Sequence, residues 1–250
     1  MGASLRMAPN DNVPICMNGV TIEVQGLARR YGARWALADV TFRIPPASVL
    51  MVAGHNGAGK STLFRVLATA IHPDRGSVKV GGFDLVRQRQ DVRKMTALLS
   101  HQSYLYESLT ARENLEVVAD HLGISRAGAA EVLEQVGLAS RASDAVATFS
   151  AGMRKRLSFA RVLLQAPRVV LLDEPYGSLD PAGFDLVDRV IGELKRGGAT
   201  ILVATHQLER SAKLADRAMV LEQGRVSWEG APASLGAPAS LGAPASVLPC

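Results

Sequence analysis

Apolar residues recur along this chain in two rhythms. Early on, VTIEV, VTFRI, SVLMVAG, SVKVGGF and TALLS are short runs rich in β-branched residues, which predicts strands. From about residue 103 to 166 the spacing becomes that of amphipathic helices, in TARENLEVVADHLGI, SRAGAAEVLEQVGL and AGMRKRLSFARVLLQA. RVVLLDEP and TILVATH are nearly continuous apolar runs, the pattern of parallel strands buried on both faces. Between them PAGFDLVDRVIGELKRGG predicts a helix, with Pro181 near its start and Gly197 at its end. AMVLEQGRVSWEG predicts a hairpin turning near Gln223-Gly224. The expected fold is α/β: a mixed, mainly parallel sheet, antiparallel strands at the N-terminal side, and a helical subdomain inserted at about 103–166.

The ends differ in texture. Residues 1–18 are rich in Pro, Asn and small residues and read as a flexible arm. APASLG occurs at 231–236 and again at 237–242, followed by APAS at 243–246. Such a repeat has too little bulky apolar surface to form a core, so 231–250 reads as a low-complexity, disordered tail and 19–230 as the working domain. With 250 residues, 48% apolar and 20% charged, the chain is long enough for one large core or a core carrying an insert. A net charge of +5 admits an anionic partner (nucleotide, nucleic acid or membrane surface) without choosing among them. Cys16 and Cys250 lie near opposite ends, which suits a reducing compartment better than a disulfide framework. There is no apolar run long enough to span a bilayer and no signal-peptide core at the start, so the expectation is a cytoplasmic chain.

GHNGAGKS, residues 54–61, matches the phosphate-binding loop G-x-x-x-x-G-K-[ST], with an apolar strand before it and a helical pattern after it. Backbone N–H groups of Gly54, His55, Asn56, Gly57, Ala58 and Gly59 would curl around phosphate, and the following helix start adds partial positive charge. Lys60 would reach the β- and γ-phosphates, Ser61 would ligate Mg²⁺, and Thr62 would support the α-phosphate. VVLLDEP is an apolar strand ending in two acids, costly near a core unless used. Asp173 would hold Mg²⁺ through water and Glu174 would polarise the attacking water; the alternative is a strand end with two solvated acids. His206 follows another buried strand, where it would contact the γ-phosphate or be an ordinary loop histidine. Gln102, after TALLS, would sense Mg²⁺ or the attacking water, or be a surface glutamine. Ser150 heads the basic stretch FSAGMRKRLSFAR, where a serine ordinarily just caps free N–H groups.

The loop at 54–62, Gln102, FSAGM, LLDEP, SLD at 178–180 and His206 stand in the order found in ATP-binding cassette (ABC) ATPases, and the resemblance covers nearly all of 19–230. It implies a phosphate-loop NTPase core, with ATP and Mg²⁺ as cofactors. Tyr31, in RRYGARWAL, matches the aromatic that stacks on adenine. FSAGM matches the signature loop, so Ser150, Ala151 and Gly152 would form a second anion site aimed at the ATP of another subunit, and Asp180 of SLD joins the nucleotide-binding set. Ala151 and Met153 depart from the usual L-S-G-G-Q; a methyl at 151 is tolerable at negative φ, whereas Met153 removes an amide that could touch the sugar.

The implied partners are a second copy, closing head-to-tail around two nucleotides, and membrane-spanning transporter subunits; no nucleic acid is expected. The implied location is the cytoplasmic face of the membrane. SYLYESLTARENL, with Tyr104, Leu105 and Tyr106, would contact the membrane subunit, the alternative being core packing. LLSHQSYLYESLTARENL, FSAGM and THQ together look most like exporter ATPases, particularly the haem exporter of cytochrome c maturation. Export of a drug, lipid or polysaccharide is the close alternative. A soluble ATPase of the same superfamily fits less well, since sustained heptads and a second phosphate loop are both missing. A phosphate-loop kinase leaves FSAGM and His206 unexplained.

Overall fold

The structure, a computed structural model, describes residues 19–100 and 102–235. The expected arm at 1–18 and the tail beyond 235 lie outside the described residues, as do both cysteines. Of the tail, 231–235 is described and holds one 3-10 turn, Pro232–Ser234.

Two sheets carry the fold. Strands β1 (Ile22–Tyr31), β2 (Arg34–Ile44), β4 (Arg75–Val80) and β5 (Phe83–Asp84) form an antiparallel sheet in the order β2-β1-β4-β5. Strands β3 (Val49–Ala53), β6 (Thr96–Leu99), β7 (Val169–Asp173), β8 (Thr200–Ala204), β9 (Arg217–Glu222) and β10 (Arg225–Gly230) form the second, in the order β10-β9-β3-β8-β7-β6. Its pairings are parallel except for the β9–β10 hairpin. That hairpin turns at Gln223 and Gly224, both at positive φ (49° and 77°), as a two-residue turn matching the strand twist demands.

Every residue of β3, β7 and β8 is buried. Successive side chains point to opposite faces, so the continuous apolar runs feed two separate cores. Val169, Leu171, Leu202 and Ala204 join one core with Ile22, Leu27, Leu37 and the inner face of helix α1 (Lys60–Leu67). Val170, Leu172, Ile201 and Val203 join the other, with helices α3 (Ala111–Leu122), α4 (Gly128–Gln135), α5 (Ala151–Gln165) and α6 (Pro181–Arg196). Phe64 of α1 is fully buried, and truncating such a ring to Ala costs about 3–5 kcal/mol.

Helices α3 and α5, between β6 and β7, and α6, which follows β7, each start where a side chain claims a free N–H group. Thr110 Oγ1 accepts from Glu113 N at 3.1 Å while Glu113 Oε2 accepts from Thr110 N at 2.8 Å, a reciprocal cap on α3. Gly123, at φ 67°, ends that helix. Asp180 caps α6 by accepting from Gly183 N at 2.9 Å.

Three local features differ from the pattern-based expectation. SVKVGGF is two strands rather than one, because Gly81 and Gly82, at φ 59° and 84°, turn the chain between β4 and β5. The first strand runs past VTIEV to Tyr31, through register shifts that accommodate its polar half. Helix α2 (Arg89–Met95) was not expected; only Val92 and Met95 are buried in it, too few to show a period. Among the described residues no helix is long and apolar enough to cross a membrane.

Candidate active site

The phosphate-loop motif leaves the end of β3 and enters α1. At Gly54, φ is 141° and a Cβ would collide with the Leu221 carbonyl oxygen; at Gly59, φ is 111° and a Cβ would come within 2.5 Å of the Ala36 carbonyl oxygen. The loop therefore lies flat against both sheets, which only glycine permits at these two positions. No side chain caps α1, which leaves the first N–H groups of the helix available to an anion. Lys60 is buried, and its Nζ donates to the carbonyls of Gly54 at 2.5 Å and His55 at 3.1 Å. Burial pushes the pKa of this ammonium down, while Glu174 and Asp173 pull it back up.

A cavity of about 450 Å³ opens over the loop, lined by Tyr31, Arg34, Ala36, Asn56, Gly57, Ala58, Gly59, Lys60, Ser61, Thr62, Asp173, Glu174 and His206. Tyr31, 47% exposed, sits at its edge with the Arg29 guanidinium 5.2 Å from its ring centre. Asp173 is buried at the last position of β7, paired in register with Ala204 of β8. Glu174 follows at φ 51°, a conformation costing a non-glycine residue about 1 kcal/mol or more, and its N–H is held by the Ala204 carbonyl at 2.8 Å.

Three loops meet at this point. His206 Nε2 lies 3.1 Å from Asn56 Oδ1 and 3.4 Å from Glu174 Oε1, and the His206 N–H donates to Glu174 Oε2 at 3.4 Å. Glu174 Oε1 is buried yet makes no hydrogen bond among the described residues, although His206 Nε2 lies 3.4 Å away. An acceptor of that kind suits a water molecule. Ser61 and Asp173 offer a hydroxyl and a carboxylate to the same cavity, while no group of three or more His, Cys, Asp or Glu among the described residues could hold an ion alone. Two hard oxygen donors fit Mg²⁺ that brings its remaining ligands as water and phosphate.

The other expected residues lie on neighbouring openings. Gln102 is exposed and lines a groove of about 580 Å³ with Ser103, Tyr104, Leu105, Lys155 and Ser178, not the phosphate-loop cavity. The Arg161 guanidinium anchors this groove's rim by donating to the carbonyls of Ser103 at 3.3 Å and Tyr104 at 3.2 Å. Tyr104 and Tyr106 are 62% and 58% exposed, whereas Leu105 packs partly onto the core. Lys155 was missed by sequence reasoning: burial lowers its pKa, and Asp173 and Glu174 raise it, so the groove lies within the field of those two carboxylates.

Ser150 caps α5, its Oγ accepting from Met153 N at 3.2 Å. Ala151 is the first residue of α5 with negative φ, so its methyl is accommodated, and a Cβ at Gly152 would lie 3.2 Å from the Ser178 carbonyl oxygen. Ser150, Ala151, Gly152 and Asp180 line a third cavity of about 690 Å³. Within one chain this cavity is separate from the phosphate loop, and Asp180 there lies 3.7 Å from Arg156 Nη2.

A family model described as "ABC transporter" matches residues 37–177. The chain is 42% identical to the daunorubicin resistance ATP-binding protein DrrA3 of Streptomyces coeruleorubidus over 86% of its own length and 69% of the relative's. It is 35% identical to the daunorubicin/doxorubicin resistance ATP-binding protein DrrA of Streptomyces peucetius over 84% and 64%, so it spans about two thirds of the length of these relatives. With the lantibiotic transport ATP-binding protein SrtF of Streptococcus pyogenes it shares 34% over 83% and 90%. A solved ATP-binding subunit of an ABC transporter superimposes with a TM-score of 0.78 at 32% identity, over 84% of this chain and 89% of that one. A dimeric bacterial ABC transporter cassette superimposes at 0.79 with 24% identity, over 84% and 98%, and shows the shared fold. With this cavity and these relatives, the chain belongs to the ABC transporter ATP-binding family and is an ATPase.

Proposed function

We propose that this chain is the ATP-hydrolysing subunit of an exporter, working as a pair of copies beneath membrane-spanning subunits at the cytoplasmic face. What supports the paired reading is the separation, within one chain, of the phosphate-loop cavity from the one lined by Ser150, Gly152 and Asp180. Two half-sites facing different directions are completed by a two-fold partner, each nucleotide then meeting Lys60 of one copy and Ser150 of its mate.

In this reading adenine rests on Tyr31, the triphosphate lies in residues 54–62, and Ser61 and Asp173 hold Mg²⁺, which neutralises phosphate charge when bound. Water held at the unpaired Glu174 Oε1 gives that oxygen its proton as the water oxygen bonds to the γ-phosphorus. The bond to the β–γ bridging oxygen breaks, leaving ADP and phosphate. His206 keeps Glu174 oriented and offers its ring to the γ-phosphate. Gln102, on the adjoining groove, enters when the helical region closes over the nucleotide. The exposed Tyr104 and Tyr106 give that same region an aromatic face for a membrane subunit. Closure is driven by nucleotide that binds the closed pair better than the open one.

For cargo, the relatives named above act in daunorubicin resistance or lantibiotic transport, which favours a drug or peptide-antibiotic exporter. Export of haem for cytochrome c maturation gains no support from them. The test is purification of the tagged chain from detergent-solubilised membranes of its host, followed by ATP-driven uptake of daunorubicin into inverted vesicles. Co-purifying membrane subunits and uptake lost in Lys60→Ala are expected. Recovery from the soluble fraction alone contradicts the transporter reading; membrane association without daunorubicin or lantibiotic movement contradicts the cargo.

A further inference from the structure

The hairpin joining β1 and β2 closes on the two residues Gly32 and Ala33, with Tyr31 paired to Arg34. Directly opposed residues of an antiparallel pair project to the same face, so one short turn delivers an aromatic ring and a guanidinium side by side. Both line the phosphate-loop cavity. The other arginines of this edge are engaged. Arg29 lies 3.3 Å from Asp74 and 5.2 Å from the Tyr31 ring centre, and Arg30 and Arg75 sit 5.9 and 5.4 Å from the Trp35 ring centre. Arg34 makes no ion pair or hydrogen bond among the described residues, and its Nη2 stands 3.9 Å from where a Cβ at Gly57 would be. An uncompensated guanidinium thus hangs over the middle of the loop whose backbone would cradle phosphate.

We infer that Arg34 is a second cation for the nucleotide's phosphates, delivered by the N-terminal sheet as Lys60 is delivered by α1. This rests on the reading of the cavity as the ATP site. Guanidinium is the side chain best shaped to bridge two phosphate oxygens, and the open position above Gly57 leaves it room to do so. Its contribution scales with phosphate charge, so it tightens ATP more than ADP and leaves the nucleoside alone. Because Arg34 is exposed, the contribution is screened by salt.

Equilibrium binding of Mg·ATP, Mg·ADP and adenosine to the full chain tests this, with wild type, Arg34→Ala, Arg34→Lys and Lys60→Ala measured at low and high salt. Arg34→Ala is expected to weaken ATP about tenfold and ADP less, to leave adenosine within about twofold, and to flatten the salt dependence. Arg34→Lys recovers part of the ATP-over-adenosine preference. Equal losses for ATP and adenosine would place the side chain on the base or sugar instead, and unchanged binding of all three would leave Arg34 an idle surface group; either overturns the inference while the ATP site stands. If Lys60→Ala binds ATP as wild type does, the site assignment itself fails and this inference goes with it.

Discussion

The imidazole Nε2 of His206 lies 3.4 Å from Glu174 Oε1, while the backbone N–H of the same histidine reaches Glu174 Oε2, also at 3.4 Å. One residue at the end of β8 therefore addresses both oxygens of an acid at the end of β7. Parallel pairing of Asp173 with Ala204 is what makes those two strand ends level. His206→Ala is expected to lower the hydrolysis rate about 10²-fold or more while Mg·ATP binding weakens far less, since the phosphate loop is untouched. Phosphate release under saturating ATP, beside a binding isotherm, separates the two effects. Equal losses in both would make His206 a binding residue.

Tyr176 makes a different demand on pH. Its hydroxyl donates to Asp188 Oδ1 at 2.7 Å, and Arg210 bridges Asp188 and Asp185 at 2.8 and 2.9 Å. Burial first, then the bond to Asp188, raises the phenol's pKa well above its ordinary 10.0. A raised folded-state pKa means the fold holds the proton more tightly than the unfolded chain. That stability is complete below pH 10.0 and is lost as pH climbs toward the folded value. Denaturant melts of wild type and Tyr176→Phe should show the wild type losing stability faster above pH 10.0 and the difference between the two staying constant below it. Parallel curves throughout would contradict this.

The reciprocal cap between Thr110 and Glu113 sets the start of the first helix between β6 and β7. Thr110→Ala should destabilise by about 1 kcal/mol, which for a chain of this size lowers the melting temperature by about 2–4 °C. A calorimetric scan checks it, and an unchanged melting temperature would show that tertiary packing alone holds α3 in place.

Within one chain Ser150 caps its own helix, and the proposed second role needs the mate. Ser150→Arg should block the mate's nucleotide without harming its own phosphate loop, and Lys60→Ala should do the reverse. Mixed, the two variants form pairs in which one site has both parts intact. ATP-dependent crosslinking between differently tagged copies is expected in the mixture and in neither variant alone. A mixture that crosslinks no better than its components would leave Ser150 as a helix cap.

Much of the fold is legible in the sequence, and the reasons are local. The phosphate-loop motif is contiguous, and its glycines, lysine and serine stand in positions fixed relative to one another by one turn and one helix start. β7 and β8 declare themselves because strands buried on both faces carry no polar alternation. Arg34 was not legible: it sits two residues from Gly32 in a polar stretch, and only the pairing of Tyr31 with Arg34 reveals that it faces the cavity. Lys155 was hidden for a similar reason, since its nearness to Asp173 and Glu174 depends on how α5 packs against β6, the strand beside β7, rather than on spacing along the chain. Gln102 and Ser150 could be named from their order in the chain, but their distance from the phosphate loop within one copy is a tertiary fact.

The oligomeric state and nucleotide content of Glu174→Gln protein in Mg·ATP test most directly the claim that this cavity hydrolyses ATP between two copies. The amide keeps the shape of the acid but cannot take the proton of water, so turnover should fall on the order of 10²–10⁴-fold while binding persists. The expected result, by size-exclusion with light scattering and nucleotide extraction, is a stable dimer carrying two unhydrolysed ATP molecules. A monomer that still releases phosphate at the wild-type rate would contradict it.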